Sequence, residues 1–389
     1  MRRALTALAA LVLLLAPAAS RATEGPPVEI DAMLSMTGAG AFFATSAAKT
    51  LTIIETLVNS TGGIAGRPLT FKVFDDGSNP QTAVELATQL AAKKIPAMLG
   101  PSLTATCSAM LPIIAKSGPV AYCISPSIRP DPGSYMFSNG PTGEDGAAVL
   151  LRFIREQGMT RIAILNSTDA SGQAVDKSLE MALALPENHS LQVVAHAHFA
   201  PLDVSVAAQI SQIKAANPQA LISWAVGTPF GTVLRSATDG GLDVPILTGA
   251  GNQTADQMKQ YAHILPKAIY FESMLDMATG AVVPPPIAKM QAIYFKAFNT
   301  AGVQTDGGYG GIWDMAMIYV DAFRHYNGNP TADQVHDFIE RQRAYPGVSG
   351  VYDYSKYAQR GVGQDADMIS TWNPGTQSFV AASKPGGRK

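Results

Sequence analysis

The chain has 389 residues, is 47% hydrophobic and 15% charged, and carries a formal net charge of −2. That balance describes a globular protein of two or three domains, without the basic surplus nucleic acid would need or an acidic tail for a disordered partner segment. No internal apolar run approaches the roughly 20 residues of a membrane-spanning helix, so the protein is not expected to be membrane-embedded.

The N-terminus is a separate unit. Arg2 and Arg3 precede an apolar run over residues 4–16, and small residues follow as far as Ala22. This pattern predicts a secretory leader over residues 1–22, cleaved near Ala19 or Ala22, and hence a soluble, exported protein. No Cys follows the run, which argues against a lipid anchor.

From residue 28 strands and helices alternate. Residues 28–34 read as a strand, and Gly38, Ala39 and Gly40 open a turn into a helix that ends near Ser60. The Gly38/Gly40 pair lacks the third glycine and the ribose acid of a dinucleotide fingerprint, so it reads as a turn. Residues 69–74 alternate as a strand. Residues 75–80 break the chain and cap a helix in which Val84, Leu86, Ala87, Leu90 and Ala91 lie close to one face. A short strand at 96–99 follows. With the next helix and strand the order is βαβαβαβ, which predicts a parallel sheet covered by helices.

Residues 100–129 carry the densest signal. Ser102 reads as the N-cap of a helix beginning near Leu103, with Thr104 and Thr106 in its first turn. The free N–H groups and positive dipole end there form an anion pocket that needs no cationic side chain. The strand at 119–124 ends in Ser125, Pro126 and Ser127. In an open parallel sheet the strand C-termini share one edge, and ligands bind along it. Thr104, Ser125 and Ser127 are therefore expected to converge on one acceptor-rich group, a carboxylate above all. The plainer reading is two loops of ordinary turn residues. Cys107 on the helix and Cys123 on the strand are the chain's two cysteines. An exported compartment permits a disulfide, and the spacing leaves a bridge and two buried thiols both open.

The pattern restarts after Gly140. Helices are expected at 146–157, 170–184, 204–216 and up to Arg235, and strands at 161–165, 191–199, 220–226 and 244–247. Beyond a strand at 268–271, three prolines mark a stiff connection, and three helices follow at 287–299, 312–326 and 331–343. Short strands at 348–354 and 368–372 close the chain, and the tail 384–389 reads as disordered. His196 and His198 share one strand face, but no further His or Cys lies close in sequence to complete a metal site. Trp224 and Phe230 flank a loop, with core packing the simpler role for Trp224. Trp313 and Asp314, on a helix, read as surface packing rather than chemistry. No Ser/His/Asp or Cys/His arrangement has a catalytic motif around it.

The run Asn59-Ser60-Thr61-Gly62-Gly63-Ile64-Ala65-Gly66-Arg67-Pro68-Leu69 resembles the "N-x-x-GGI-x-G-R-x-L" stretch of type I periplasmic solute-binding proteins. The Asp75-Asp76 turn, Leu99-Gly100-Pro101-Ser102, the Gly118-Pro119 strand and Gly347-Val348-Ser349-Gly350 follow in the family's order, and the leucine/isoleucine/valine-binding branch is the most similar. The resemblance implies an α/β fold of two Rossmann-like lobes joined by three crossovers, with ligand in the cleft between them. It divides the chain into a first lobe of residues 23–139 plus 273–347 and a second of 140–272 plus 348–389, with crossovers near Asn139, Glu272 and Gly347.

Carried over position by position, the family's carboxylate-binding hydroxyl falls on Thr104. The two positions after the next strand fall on Ser125 and Ser127, or on Ser127 and Arg129. The first-loop aromatic falls on Phe43 or equally Phe42. In the second lobe the family's tyrosine is Ser171, the next aromatic falls near Val226 or Gly227, and the acid that pairs with an α-ammonium falls near Ala250 or Gly251. A buried ammonium without an anion costs several kcal/mol. With Asp169 read as a helix cap and Glu272 as a hinge residue, this favours a small aromatic or other organic carboxylate. Asn252 or Gln253 would read its far end, and leucine would bind poorly.

The implied function is capture of that carboxylate for the permease subunits of an ABC importer, by a monomer without cofactor. A branched-chain or other amino acid is the alternative ligand. A sensor presenting its solute to a membrane receptor is the alternative class. An exported enzyme would need a nucleophile or metal constellation that the sequence does not display.

Overall fold

The computed structural model describes residues 24–389. The expected leader lies outside them. The first lobe runs β1 (Val28–Leu34), α1 (Ala41–Ser60), β2 (Leu69–Asp75), α2 (Pro80–Ala92), β3 (Ala97–Leu99), α3 (Thr104–Ile114), β4 (Val120–Cys123) and β5 (Met136–Ser138). These strands form one parallel sheet in the order β2-β1-β3-β4-β5. Because side chains alternate along a strand, each strand feeds two cores. Ile30, Ala32, Leu34, Leu99, Val120 and Tyr122 face one cluster, and Met33, Met98, Ala121 and Cys123 face the other, under α2 and α3.

The second lobe runs α4 (Gly143–Glu156), β6 (Arg161–Ser167), α5 (Ala170–Leu183), β7 (Gln192–Phe199), α6 (Ala207–Ala215), β8 (Ala220–Ile222), α7 (Thr228–Asp239), β9 (Ile246–Gly249), α8 (Ala255–Gln260) and β10 (Ile269–Met274). Thr142 and Asp145 make a reciprocal capping box that starts α4. The chain then returns to the first lobe as α9 (Pro285–Thr300), α10 (Gly307–His325), α11 (Ala332–Glu340) and a small hairpin, β11 (Tyr345–Pro346) and β12 (Val351–Tyr352). It ends in the second lobe as β13 (Asp367–Asn373) and β14 (Ser378–Ala381). The second sheet has the order β14-β13-β10-β9-β8-β6-β7, in which β13 alone runs antiparallel to the rest, pairing so with both β10 and β14. Ala163, Leu165, Leu221 and Ile246 point to one of its cores, and Ile162, Ile164, Ile222 and Leu247 to the other.

Several expectations need correction. The third crossing lies beyond Gly347: Val348, Tyr352, Tyr354 and Val362 still pack in the first lobe's core, and the chain re-enters the second sheet only at Asp367. β5, β14 and α8 are too short for their periodicity to register in the sequence. The tail is not loose. Gly386 and Gly387 are buried with positive φ, Arg152 on α4 donates to the Gly386 carbonyl, and the Lys389 N–H reaches Glu156 Oε2 at 2.5 Å. Residues 38–60, taken together, are long and apolar enough to cross a bilayer. Half of that stretch is buried, and α1 packs along α10, so its apolar face is that of a core helix. Trp313 is inside the first lobe's core rather than at its surface.

Candidate ligand-binding site

The two lobes meet around a cavity of about 100 Å³ at the C-terminal ends of their parallel strands. They touch along the rim. Arg129 pairs with Glu144, Lys49 Nζ lies 3.8 Å from Asp256, and the Ala255 N–H donates to Asp306 Oδ2 at 2.9 Å. Gly227, at φ +73°, approaches so closely that a Cβ there would lie 2.0 Å from the Ala39 carbonyl oxygen of the other lobe. This is a closed arrangement.

The first-lobe wall is built by the turns after β3 and β4. Gly100 has φ +88° and sits under the Met33 carbonyl, where a Cβ would be 1.9 Å from its oxygen, so only glycine fits. This turn corrects the reading of Ser102. Its Oγ is drawn back to accept from the Ser35 N–H at 3.3 Å, Leu103 becomes the N-cap, and no side chain caps the first turn of α3. Ser102 still lines the cavity. Beside it, Thr104 Oγ1 and Ser125 Oγ lie 2.7 Å apart, both buried, and the Ser127 N–H donates to Ser125 Oγ at 3.3 Å. Cys107 and Cys123 form a disulfide with Cα atoms 5.9 Å apart. It ties α3, one turn after Thr104, to the strand that ends at Ser125. The result is a braced pair of hydroxyls at an uncapped helix start, suited to a carboxylate.

The second-lobe wall is mostly apolar. Trp224, Val226, Ala250 and Gly251 face Phe43, with Ser171 at the edge. Trp224 packs against one of the second lobe's cores, as expected, and also lines the cavity, since β8 stops at Ile222 and leaves it beyond the strand. Its ring lies against Gly249, where a Cβ would come within 2.2 Å of it. Phe230 is the one buried in the core. Asp169 caps α5 by accepting from the Ser171 and Gly172 N–H groups.

Four expected contacts do not reach the cavity. Phe42 packs on Tyr261, ring centres 6.3 Å apart. Gly227 serves the contact between lobes. The Asn252 amide is consumed by Gly227 N–H, Ala225 O and Thr248 Oγ1, and that of Gln253 by Met277 O and Ser273 Oγ. Fully buried amides are matched inside the protein because an unmatched one is costly. Arg129, held by Glu144, is also off the lining.

The largest correction concerns acids. Glu272 and Asp367 both line the cavity, with Met274 and Met277 beside them. Glu272 therefore sits at the site rather than acting as a hinge alone. β10 and β13 pair antiparallel, with Glu272 opposite Ile369 and Asp367 opposite Met274, which sets the two carboxyls on a diagonal. Among the described residues, no donor reaches either oxygen of Asp367; its neighbour is the Glu272 carboxyl, and of the two it is Asp367 that holds a proton toward the other. Burial raises the pKa of Glu272. Burial, then the Glu272 charge, pushes that of Asp367 well above the usual carboxylate range. Two such neighbours cannot both ionise easily, so burial and proximity favour a proton held within the pair. Gly146 on α4 makes the room: a Cβ there would be 2.9 Å from Glu272 Oε1.

Arg360 was also missed by sequence reasoning. Its buried guanidinium donates to the carbonyls of Pro126, Ile128, Gly140 and Pro141, tying the Ser125–Ser127 loop to the first connector. Burial lowers its pKa to about 10, which leaves it charged at neutral pH. No local motif marks it, since all its acceptors are backbone groups distant in sequence.

A family model described as periplasmic binding protein matches residues 27–377. No curated protein matches the chain by sequence. Among solved structures, an extracellular ligand-binding receptor from Rhodopseudomonas palustris HaA2 is 19% identical with a TM-score of 0.78, covering 92% of this chain and 100% of its own. The branched-chain amino acid transporter substrate-binding protein LivJ from Streptococcus pneumoniae, in complex with isoleucine, is 18% identical with a TM-score of 0.75, over 92% and 98%. A fatty acid ABC transporter substrate-binding protein from Thermomonospora curvata is 17% identical with a TM-score of 0.76, over 93% of each chain. The two-lobed fold recurs over nearly the whole chain, and the family match spans most of its length: this protein belongs to the periplasmic binding protein family.

Proposed function

We propose that this protein captures a small zwitterion, an α-amino acid with an apolar side chain, by lobe closure in the periplasm, and delivers it to the permease of an ABC importer. One observation carries the reading: a neutral hydroxyl pair and a carboxyl pair line the same closed cavity. The Thr104/Ser125 side suits a carboxylate. The Glu272/Asp367 side suits an ammonium, which adds a cation in direct contact to the more distant attraction of Arg360 and lets the pair release its proton. Phe43, Trp224, Met274 and Met277 accept the apolar remainder. The case against an α-amino acid depended on the second lobe offering no anion, and these two acids remove that premise. The isoleucine-bound LivJ structure is consistent with the reading.

A second reading keeps the carboxylate without an amine, aromatic or aliphatic. It is favoured by the apolar lining and by the ability of the acid pair to hold its proton. A thermal-shift panel separates the two. Apolar α-amino acids are expected to raise the melting temperature, and the matching deaminated acids to raise it much less. Equal or greater stabilisation by the deaminated acids would establish the second reading instead.

A further inference from the structure

Lobe 2 carries a separate cluster that does not line the central cavity. β7 is the edge strand of its sheet. His196 and His198, two residues apart on that strand, turn the same way toward α5, which carries Asp176. His196 Nε2 lies 3.0 Å from Asp176 Oδ1, and His198 Nε2 lies 2.7 Å from Oδ2. All three ligand atoms fall within 4.8 Å of one another. The sequence offered only the two histidines; the helix brings in the third group.

We propose that Asp176, His196 and His198 form a binding site for a divalent transition metal of the zinc class. Two imidazole nitrogens and one carboxylate oxygen are a donor set for zinc rather than for magnesium or calcium, which take oxygen ligands. Zinc–ligand bonds of about 2.1 Å put tetrahedral neighbours roughly 3.4 Å apart. The carboxylate already sits near that distance from each ring. The imidazoles, 41% and 45% exposed, have room to turn toward a shared ion, and water would fill the fourth position.

A second observation marks the site as built. Asn166, fully buried on the neighbouring strand β6 and beside His198 in register, donates from Nδ2 to Asp176 Oδ1 at 2.7 Å. Its own Oδ1 accepts from the Trp224 N–H at 2.8 Å, so the amide cannot rotate away. Orientation of a ligating carboxylate by a fixed outer partner is a recurrent feature of metal sites. The competing reading is a surface triad in which Asp176 accepts from both imidazoles and binds nothing.

The experiment is isothermal titration of the full exported chain, stripped with chelator, with zinc chloride. Saturable binding of one zinc per chain is expected. His198→Ala and Asp176→Asn are each expected to weaken it by about 10-fold or more, and His325→Ala, remote on α10, to leave it unchanged. Zinc should also raise the melting temperature of the wild-type chain and not that of the two variants. Asp176→Asn is nearly isosteric and carries the test if His198→Ala folds poorly. Absence of saturable zinc binding to the wild type, or binding that neither substitution weakens, would overturn the proposal. Neither result bears on the amino-acid reading of the central cavity.

Discussion

Thr104 and Ser125 come from different turns, yet their hydroxyls meet at 2.7 Å. If they hold a ligand carboxylate, Thr104→Ala removes a hydrogen bond to a charged group and should weaken binding by about 1.5–3 kcal/mol. Calorimetric titration checks this, and unchanged affinity would remove Thr104 from the site. This meeting was legible in the sequence, because small hydroxyls that follow successive parallel strands gather at one sheet edge. Glu272 and Asp367 were not legible as a pair. They are far apart in the chain and share a wall only because β13 returns antiparallel beside β10. Asn252 and Gln253 misled for the opposite reason. They lie just beyond Ala250 and Gly251, where the family's acid falls, but their amides satisfy the backbone and side chains around them. Residue type and position gave no hint of how those hydrogen bonds would be spent.

At the scale of elements, the alternation of apolar residues in β1, β3 and β4 predicted a two-faced sheet, and the structure divides these residues between two cores. The connectors were harder to read, since they have no period. There a second acid pair is buried. Asp314 on α10 accepts from the Val348 and Ser349 N–H groups at 2.8 and 3.0 Å and from the Tyr352 hydroxyl, while Ser349 Oγ donates to Asp276 on the second connector. Burial, and then the Asp314 charge, raises Asp276 to about 7. A raised carboxyl keeps its proton in the native state where the unfolded chain has lost it. Its contribution to stability is therefore fully present below about pH 4 and is lost as pH rises through about 7. Asp276→Asn keeps an acceptor for Ser349 and removes the titration. It should stabilise the protein at pH 8, on the order of 2–4 kcal/mol, and much less at pH 5. Melting curves at the two pH values check this, and an equal shift at both would contradict it.

For the whole molecule, the proposed capture requires that the lobes close on the ligand. Gly227 and the Ala39 carbonyl mark where the closed lobes come nearest. Gly227→Ala adds a methyl in the path of that carbonyl and strains a positive φ, and the atoms its methyl meets first belong to Ala39, which does not line the cavity. It should lower ligand affinity by at least about 10-fold, because binding selects the closed state, and small-angle scattering should show no contraction when ligand is added. Wild-type affinity in this variant would mean that closure is not needed for capture.

The central claim is that the acid pair reads an ammonium while the hydroxyl pair reads a carboxylate. Its most direct test is the ratio of dissociation constants for leucine and its deaminated analogue, 4-methylpentanoate, measured on the wild type and on Glu272→Gln/Asp367→Asn. The account predicts a wild-type preference for leucine of about 10-fold or more, the scale of a charged hydrogen bond, and its collapse toward unity in the double variant. A preference that survives both substitutions, or a wild type that favours the deaminated acid, would contradict it.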